Sequence, residues 1–168
     1  MKSLSISQLK QEMKNRSSSD LLDVCLRLAK FRKENKELLT YLLFEVQDEQ
    51  SYIESIKSEM DQQFIEINQS NIYFAKKSIR KIVRSTNKYI RFSGMKLTEV
   101  ELLMHFCKRL AESDIPLKNS LALENIFLRQ VQKIKKASHS LHEDLQYDYG
   151  EELKSIETLA QGLQKSEY

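Results

Sequence analysis

Only one proline, Pro116, and three glycines, Gly94, Gly150 and Gly162, interrupt the 168 residues of this chain. Antiparallel sheets need a turn every few residues, and turns draw on glycine and proline for backbone conformations that other residues resist. So sparse a supply argues against a sheet-rich fold and leaves long helices as the regular structure open to the chain. A length within the roughly 100 to 200 residues of an ordinary domain predicts one all-α domain spanning 1–168, built of about seven helices. Apolar residues make up 40% of the sequence, enough to give each helix one buried stripe.

Residues 1–16 carry Ile6, Leu9 and Met13 at helical spacing and predict an N-terminal helix, after which the serines and Asp20 of 17–20 offer caps for a second. Over 21–31, Leu21, Leu22, Cys25, Leu28 and Ala29 repeat at i, i+3, i+4, i+7 and i+8, the pattern of a core-facing helix. The polar run 33–36 reads as the turn that follows. Residues 38–46 are apolar nearly all round, which predicts the central and most buried helix. Asp48 then caps a long helix over 48–68, with Tyr52, Ile53, Ile56, Met60 and Phe64 in its stripe. Asn71 caps the next, whose stripe of Ile79, Ile82, Val83, Thr86 and Ile90 runs to Gly94. Thr98 and Glu101 have capping-box spacing for a helix that Pro116 brings to an end. The last long element, 119–147, precedes Gly150 and a short acidic tail helix, with 163–168 expected to fray.

Positions 21–29, LLDVCLRLA, align with positions 103–111, LMHFCKRLA, at a constant offset of 82, and five of the nine are identical. Self-similarity of this kind is the signature of stacked helical units and suggests a two-fold internal repeat. The features resemble the HEAT and armadillo class of helical repeats. More specifically, segments 26–44 and 141–149 resemble an uncharacterised all-helical bacterial family, a likeness that covers most of the chain. The resemblance implies a HEAT- or armadillo-like antiparallel helix stack with adaptor surfaces, and it supplies no catalytic residue.

Charge is distributed unevenly although 27 Lys and Arg nearly balance 24 Asp and Glu. Residues 71–96 hold Lys76, Lys77, Arg80, Lys81, Arg84, Lys88, Arg91 and Lys96 without one carboxylate. At 100° per residue, Lys77, Arg80, Lys81, Arg84, Lys88 and Arg91 fall within about ±60° of one line, opposite the apolar stripe, and form a cationic rail about 20 Å long. Tyr73, Phe74 and Phe92 lie near that rail and can stack on bases. Two features compete for these cations. The helix over 48–66 carries Asp48, Glu49, Glu54, Glu59, Asp61 and Glu66 against Lys57 alone, and the tail over 151–168 is acidic. Either can neutralise the rail from within the molecule. A second basic group, Arg129, Lys133, Lys135 and Lys136, strengthens a nucleic-acid reading if it folds beside the first.

Other chemistries find little support. Cys25 and Cys107 sit on apolar stripes without Cys-x-x-Cys spacing and read as buried, reduced thiols. His139, His142 and Glu143 share a helical face, yet the set lacks the remaining ligands of a zinc site, so no metal and no cofactor are expected. Glu34 with Glu37 and Glu45 with Asp48 resemble the paired carboxylates of all-helical nucleotide pyrophosphatases. Their spacing departs from that pattern, because both pairs would lie along one helix. The dispersed glycines allow neither a phosphate loop nor a nucleophile elbow. With no apolar run of membrane-spanning length, the expectation is a cytoplasmic, non-catalytic interaction module. Its Lys77, Arg80, Lys81, Arg84, Lys88 and Arg91 would meet an acidic protein partner, with sequence-nonspecific nucleic-acid binding as the alternative use of the same face.

Overall fold

The computed structural model describes residues 2–164, and every regular element among them is helical. In order these are α1 (Ile6–Lys14), α2 (Ser18–Phe31), α3 (Lys33–Thr40), a π-helical turn at Tyr41–Glu45, α4 (Glu49–Ile65), α5 (Ile72–Ser93), α6 (Lys96–Glu112), a 3₁₀ turn at Leu117–Asn119, α7 (Leu121–Ser138), α8 (Glu143–Asp148) and α9 (Gly150–Gln164). Leu163 and Gln164, expected to fray, are helical, and the rest of that expectation, 165–168, lies outside the described residues. Among the described residues no helix is long and apolar enough to cross a membrane.

Contacts divide the chain into two compact units that meet in sequence between Phe44 and Glu45. The two differ in burial. None of α1, α2 or α3 contains a buried residue, whereas the core cluster is drawn wholly from residues between Met60 and Leu163.

In the first unit, local chemistry sets the helix starts. The Ser5 hydroxyl accepts from the Gln8 backbone N–H, and Gln8 returns a bond to the Ser5 backbone. Ser17 and Asp20 repeat this reciprocal cap, and the two bonds from Ser17 hold the Asp20 carboxyl below its ordinary pKa. The polar run 33–36 is helical rather than a turn, and the break falls at Arg32 alone, in extended conformation. The stretch expected to be the central helix is not central. Only Tyr41 is buried, while Leu42, Leu43, Phe44 and Val46 are each about half exposed or more, and the chain widens into a π turn that dephases the apolar residues. Cys25 is likewise exposed, against expectation.

The second unit is organised on α6. Eight of its residues are buried, among them Leu102, Leu103, Phe106, Cys107 and Leu110, because it packs against α4, α5, α7 and α9. Contacts Glu49 to Ser93 and Tyr52 to Tyr89 run α4 antiparallel to α5. Lys57 to Glu101 and Asp61 to His105 run it parallel to α6. Phe106 meets Phe64 of α4 with ring centroids 5.8 Å apart, and Leu123, Phe127, Val131 and Ile134 give α7 the stripe that covers its other side. Gly94 ends α5 at φ 70°, a left-handed turn that glycine adopts without penalty. The expected capping box of Thr98 and Glu101 does not form. The α6 helix starts one turn earlier, with Met95 at its N-cap, so Thr98 is buried and donates to Glu49. The last long helix is also shorter than expected. It ends at Ser138, and His142 caps the separate α8.

The two aligned nonapeptides occupy opposite environments. Positions 103–111 lie in the core, while 21–29 bury nothing. Truncating Phe106 to Ala removes a fully enclosed ring and should lower unfolding free energy by about 3 to 5 kcal/mol. The same truncation at Leu43, which is 61% exposed, should change it by less than about 1 kcal/mol. Urea titration followed by circular dichroism reads both.

Candidate functional site

Twenty-two residues of α5 leave one face for the core and one for water. Ala75, Ile79, Ile82 and Thr86 are buried against the helices behind it, and Val83 and Ile90 are partly covered. On the opposite side Lys77, Arg80, Lys81, Arg84 and Arg91 are exposed, with Lys88 half-buried. Five of the six cations that spacing places on one line are thus exposed, and Lys88 is not. Tyr73 and Phe74 stand exposed at the N-terminal end of this face, in edge-on contact at 5.5 Å. Lys88 differs from its neighbours, since its ammonium lies 4.3 Å from the Tyr89 ring centroid and 5.8 Å from that of Phe92. Such contact with a ring face offsets part of the cost of removing water from the charge.

The carboxylates of the acidic helix beside it have partners other than Lys77, Arg80, Lys81 and Arg84. Asp48 caps α4 by accepting from the backbone and hydroxyl of Ser51, which hold its carboxyl below the ordinary value. Glu49 accepts the hydroxyls of Ser93 and Thr98. Glu54 pairs with Lys57 at 2.9 Å, and Glu59 accepts the Tyr89 hydroxyl at 2.9 Å. Asp61 takes both His105, at 2.8 Å, and Arg109, at 2.9 Å, from α6. Among the described residues, Lys77, Arg80, Lys81 and Arg84 make no ion pair within 4.0 Å. Two carboxylates of the acidic tail helix have partners off α5: Glu152 of α9 pairs with Lys108 of α6 at 2.9 Å, and Glu157 with Lys135 of α7 at 3.1 Å.

Sequence spacing did not show that α7 reaches the same face. The Lys133 ammonium donates to the Asn87 side-chain oxygen at 2.7 Å. Asn87 lies three residues after Arg84 and four before Arg91, so its neighbours on the helix surface are these two guanidiniums. Arg129 and Lys136 are exposed one turn to either side of Lys133. The second basic group therefore folds beside the first, and no linear signal predicts a bond across 46 positions. Below Arg84 and Arg91, where α5 turns into α6, an open hollow of 720 Å³ has Ile90 and Met95 in its lining and the Lys96–Glu99 pair at its edge.

A second polar cluster joins α4, α6 and the residues before α9. Lys57 donates to Glu101 at 2.6 Å and to Glu54 at 2.9 Å, and the Tyr149 hydroxyl donates to the other Glu101 oxygen at 2.6 Å. Burial of Lys57 pulls its pKa down, but the bonds from the two carboxylates outweigh that pull and leave it above its ordinary value. For Tyr149, burial and then the Glu101 hydrogen bond both push the phenol upward. The cluster locks α4 and α6 together. Among the described residues no three His, Cys, Asp or Glu side chains come together to hold a metal ion, and His142 serves α8 by accepting from the Asp144 backbone. Burial pushes the Cys107 thiol well above its ordinary value.

Both Lys57 and Tyr149 have raised folded pKa values, so each adds stability that is complete below its unfolded pKa and is lost as pH rises through the folded one. Unfolding free energy should accordingly hold up to about pH 10 and fall as pH rises beyond it. Glu101→Gln should cost about 1 to 3 kcal/mol near neutrality and flatten that alkaline decline. Urea titrations across the pH series measure both effects.

No family model, no curated protein and no solved structure matches the chain.

Proposed function

We propose that the protein is a non-catalytic interaction module that presents the outward face of α5 to an acidic protein partner. Lys77, Arg80, Lys81 and Arg84 supply hydrogen-bond donors and fixed positive charge, and Lys88 and Arg91 extend the face toward the α5–α6 turn. The observation that carries the reading is the fate of the α4 carboxylates. Asp48, Glu49, Glu54, Glu59 and Asp61 are engaged by a cap, hydroxyls, Lys57 and α6, and the first four cations of the rail have no ion-pair partner among the described residues. Exposed charges of one sign steer an oppositely charged partner and raise its association rate. A HEAT- or armadillo-like stack, the arrangement the sequence resembles, suits such a role because consecutive helices leave one long face unpacked. That part of the reading is analogy.

Nucleic acid is the second reading, favoured by the Lys133 bond to Asn87, which widens the face with Arg129 and Lys136, and by exposed Tyr73 and Phe74. The two readings separate by polymer and by salt. Lys81→Glu with Arg84→Glu changes two exposed residues and should abolish binding of polyglutamate while leaving the circular dichroism unchanged. Polyglutamate binding that survives the double variant would remove the face from consideration. Tighter binding of single-stranded DNA, with log affinity falling against log salt at a slope of about −0.7 per phosphate contacted, would favour the second reading.

A further inference from the structure

The first unit carries an apolar hollow that the basic face of α5 does not explain. Between α2 and α3, with the π turn that follows, Leu26, Ala29, Leu39, Leu43 and Phe44 line an open groove of 580 Å³. Leu43 and Phe44 are 61% and 74% exposed. At about 25 cal/mol per Å², leaving such side chains in water forgoes stabilisation that a covering element would recover. Thr40 and three charged residues complete the lining, and all three charged residues are lysines: Lys30, Lys33 and Lys36. Lys33 has a loose 3.6 Å pair with Glu37, and Lys30 and Lys36 form none among the described residues.

We propose that this groove binds an amphipathic helix of a partner protein, with an apolar stripe against Leu26, Leu39 and Leu43 and acidic flanks against the three lysines. Shape and charge decide the occupant. The groove is formed by helices, whose backbone groups bond internally, so it offers an extended peptide no edge to pair with. An occupant must satisfy its own backbone, as a helix does. A second copy of this segment is disfavoured because residues 1–44 hold nine Lys and Arg against five Asp and Glu, a net +4 that would set like charges face to face. A flat anionic lipid surface would leave a concave hollow unfilled. The proposal does not depend on the reading of α5, since no residue is shared.

The test titrates the full chain against a labelled Leu/Glu amphipathic helical peptide, its Leu/Lys counterpart and a scrambled peptide of the same composition, read by fluorescence anisotropy. The Leu/Glu peptide should bind and the other two should not. Its affinity should fall at least about tenfold in Leu39→Ser with Leu43→Ser. It should fall as far in Lys30→Glu with Lys33→Glu and Lys36→Glu, which alters only exposed side chains and checks the groove without touching apolar packing. Lys81→Glu with Arg84→Glu should leave it unchanged, which separates this groove from the α5 face. Equal binding of the Leu/Lys peptide, or full affinity in either groove variant, overturns the proposal. So does a dimer in sedimentation equilibrium that the Leu39 and Leu43 changes dissociate, or capture by phosphatidylserine vesicles in preference to the peptide.

Discussion

The structure turns on how the carboxylates of α4 are used. That helix carries strong negative charge next to a helix of strong positive charge, and simple attraction would pair them along their seam. Glu49 accepts two hydroxyls, Glu59 accepts a tyrosine, and Asp61 pairs with His105 and Arg109 of α6, while Lys77, Arg80, Lys81 and Arg84 make no ion pair among the described residues. These partners lie at the sides of the apolar seam, where a short bond forms without drawing a long lysine away from water. Exposed lysine and arginine lose rotamer entropy when pinned, and a surface pair returns only about 0 to 1 kcal/mol. Lys77, Arg80, Lys81 and Arg84 therefore keep their hydration, and the helix buries Ala75, Ile79, Ile82 and Thr86 against its neighbours.

Packing and surface chemistry are thereby separated. The core is built on α6, which is buried on nearly every side, and polar bonds from Lys57, Glu101 and Tyr149 fix the helices around it. With stability residing there, the solvent face of α5 is free to carry like charges that contribute nothing to folding. The first unit represents the opposite case: α1 and α2 are well capped, yet most of their apolar residues stay exposed. Capping fixes where a helix starts, and only a covering surface determines which side it buries.

Most local signals in the sequence match the structure, the Thr98–Glu101 capping box and the turn at 33–36 excepted, and long-range ones do not. Ser17, Asp48 and Asn71 cap the helices they were expected to cap, and Gly94 ends α5, because each effect acts over three or four residues. The apolar stripe of α5 and the line of cations opposite it follow from helical period alone. What periodicity cannot supply is the identity of the covering element. Residues 38–46 look like a core helix by composition but lie largely in water, and the similar nonapeptides at 21–29 and 103–111 end up outside and inside. Cys25 misled for the same reason. Lys133 beside Asn87 and Tyr149 on Glu101 required the fold, since nothing near either residue in sequence names its partner.

The local electrostatic potential around α5 can be measured directly from the paramagnetic relaxation of amide protons by cationic and anionic nitroxide cosolutes. Unpaired cations on the outward side predict that protons near Lys77, Arg80, Lys81 and Arg84 relax faster with the anionic probe and slower with the cationic one, with the reverse near the outer side of α4. Equal relaxation by both probes along α5 would mean that the positive side chains are neutralised within the molecule, and the account of this surface would fail.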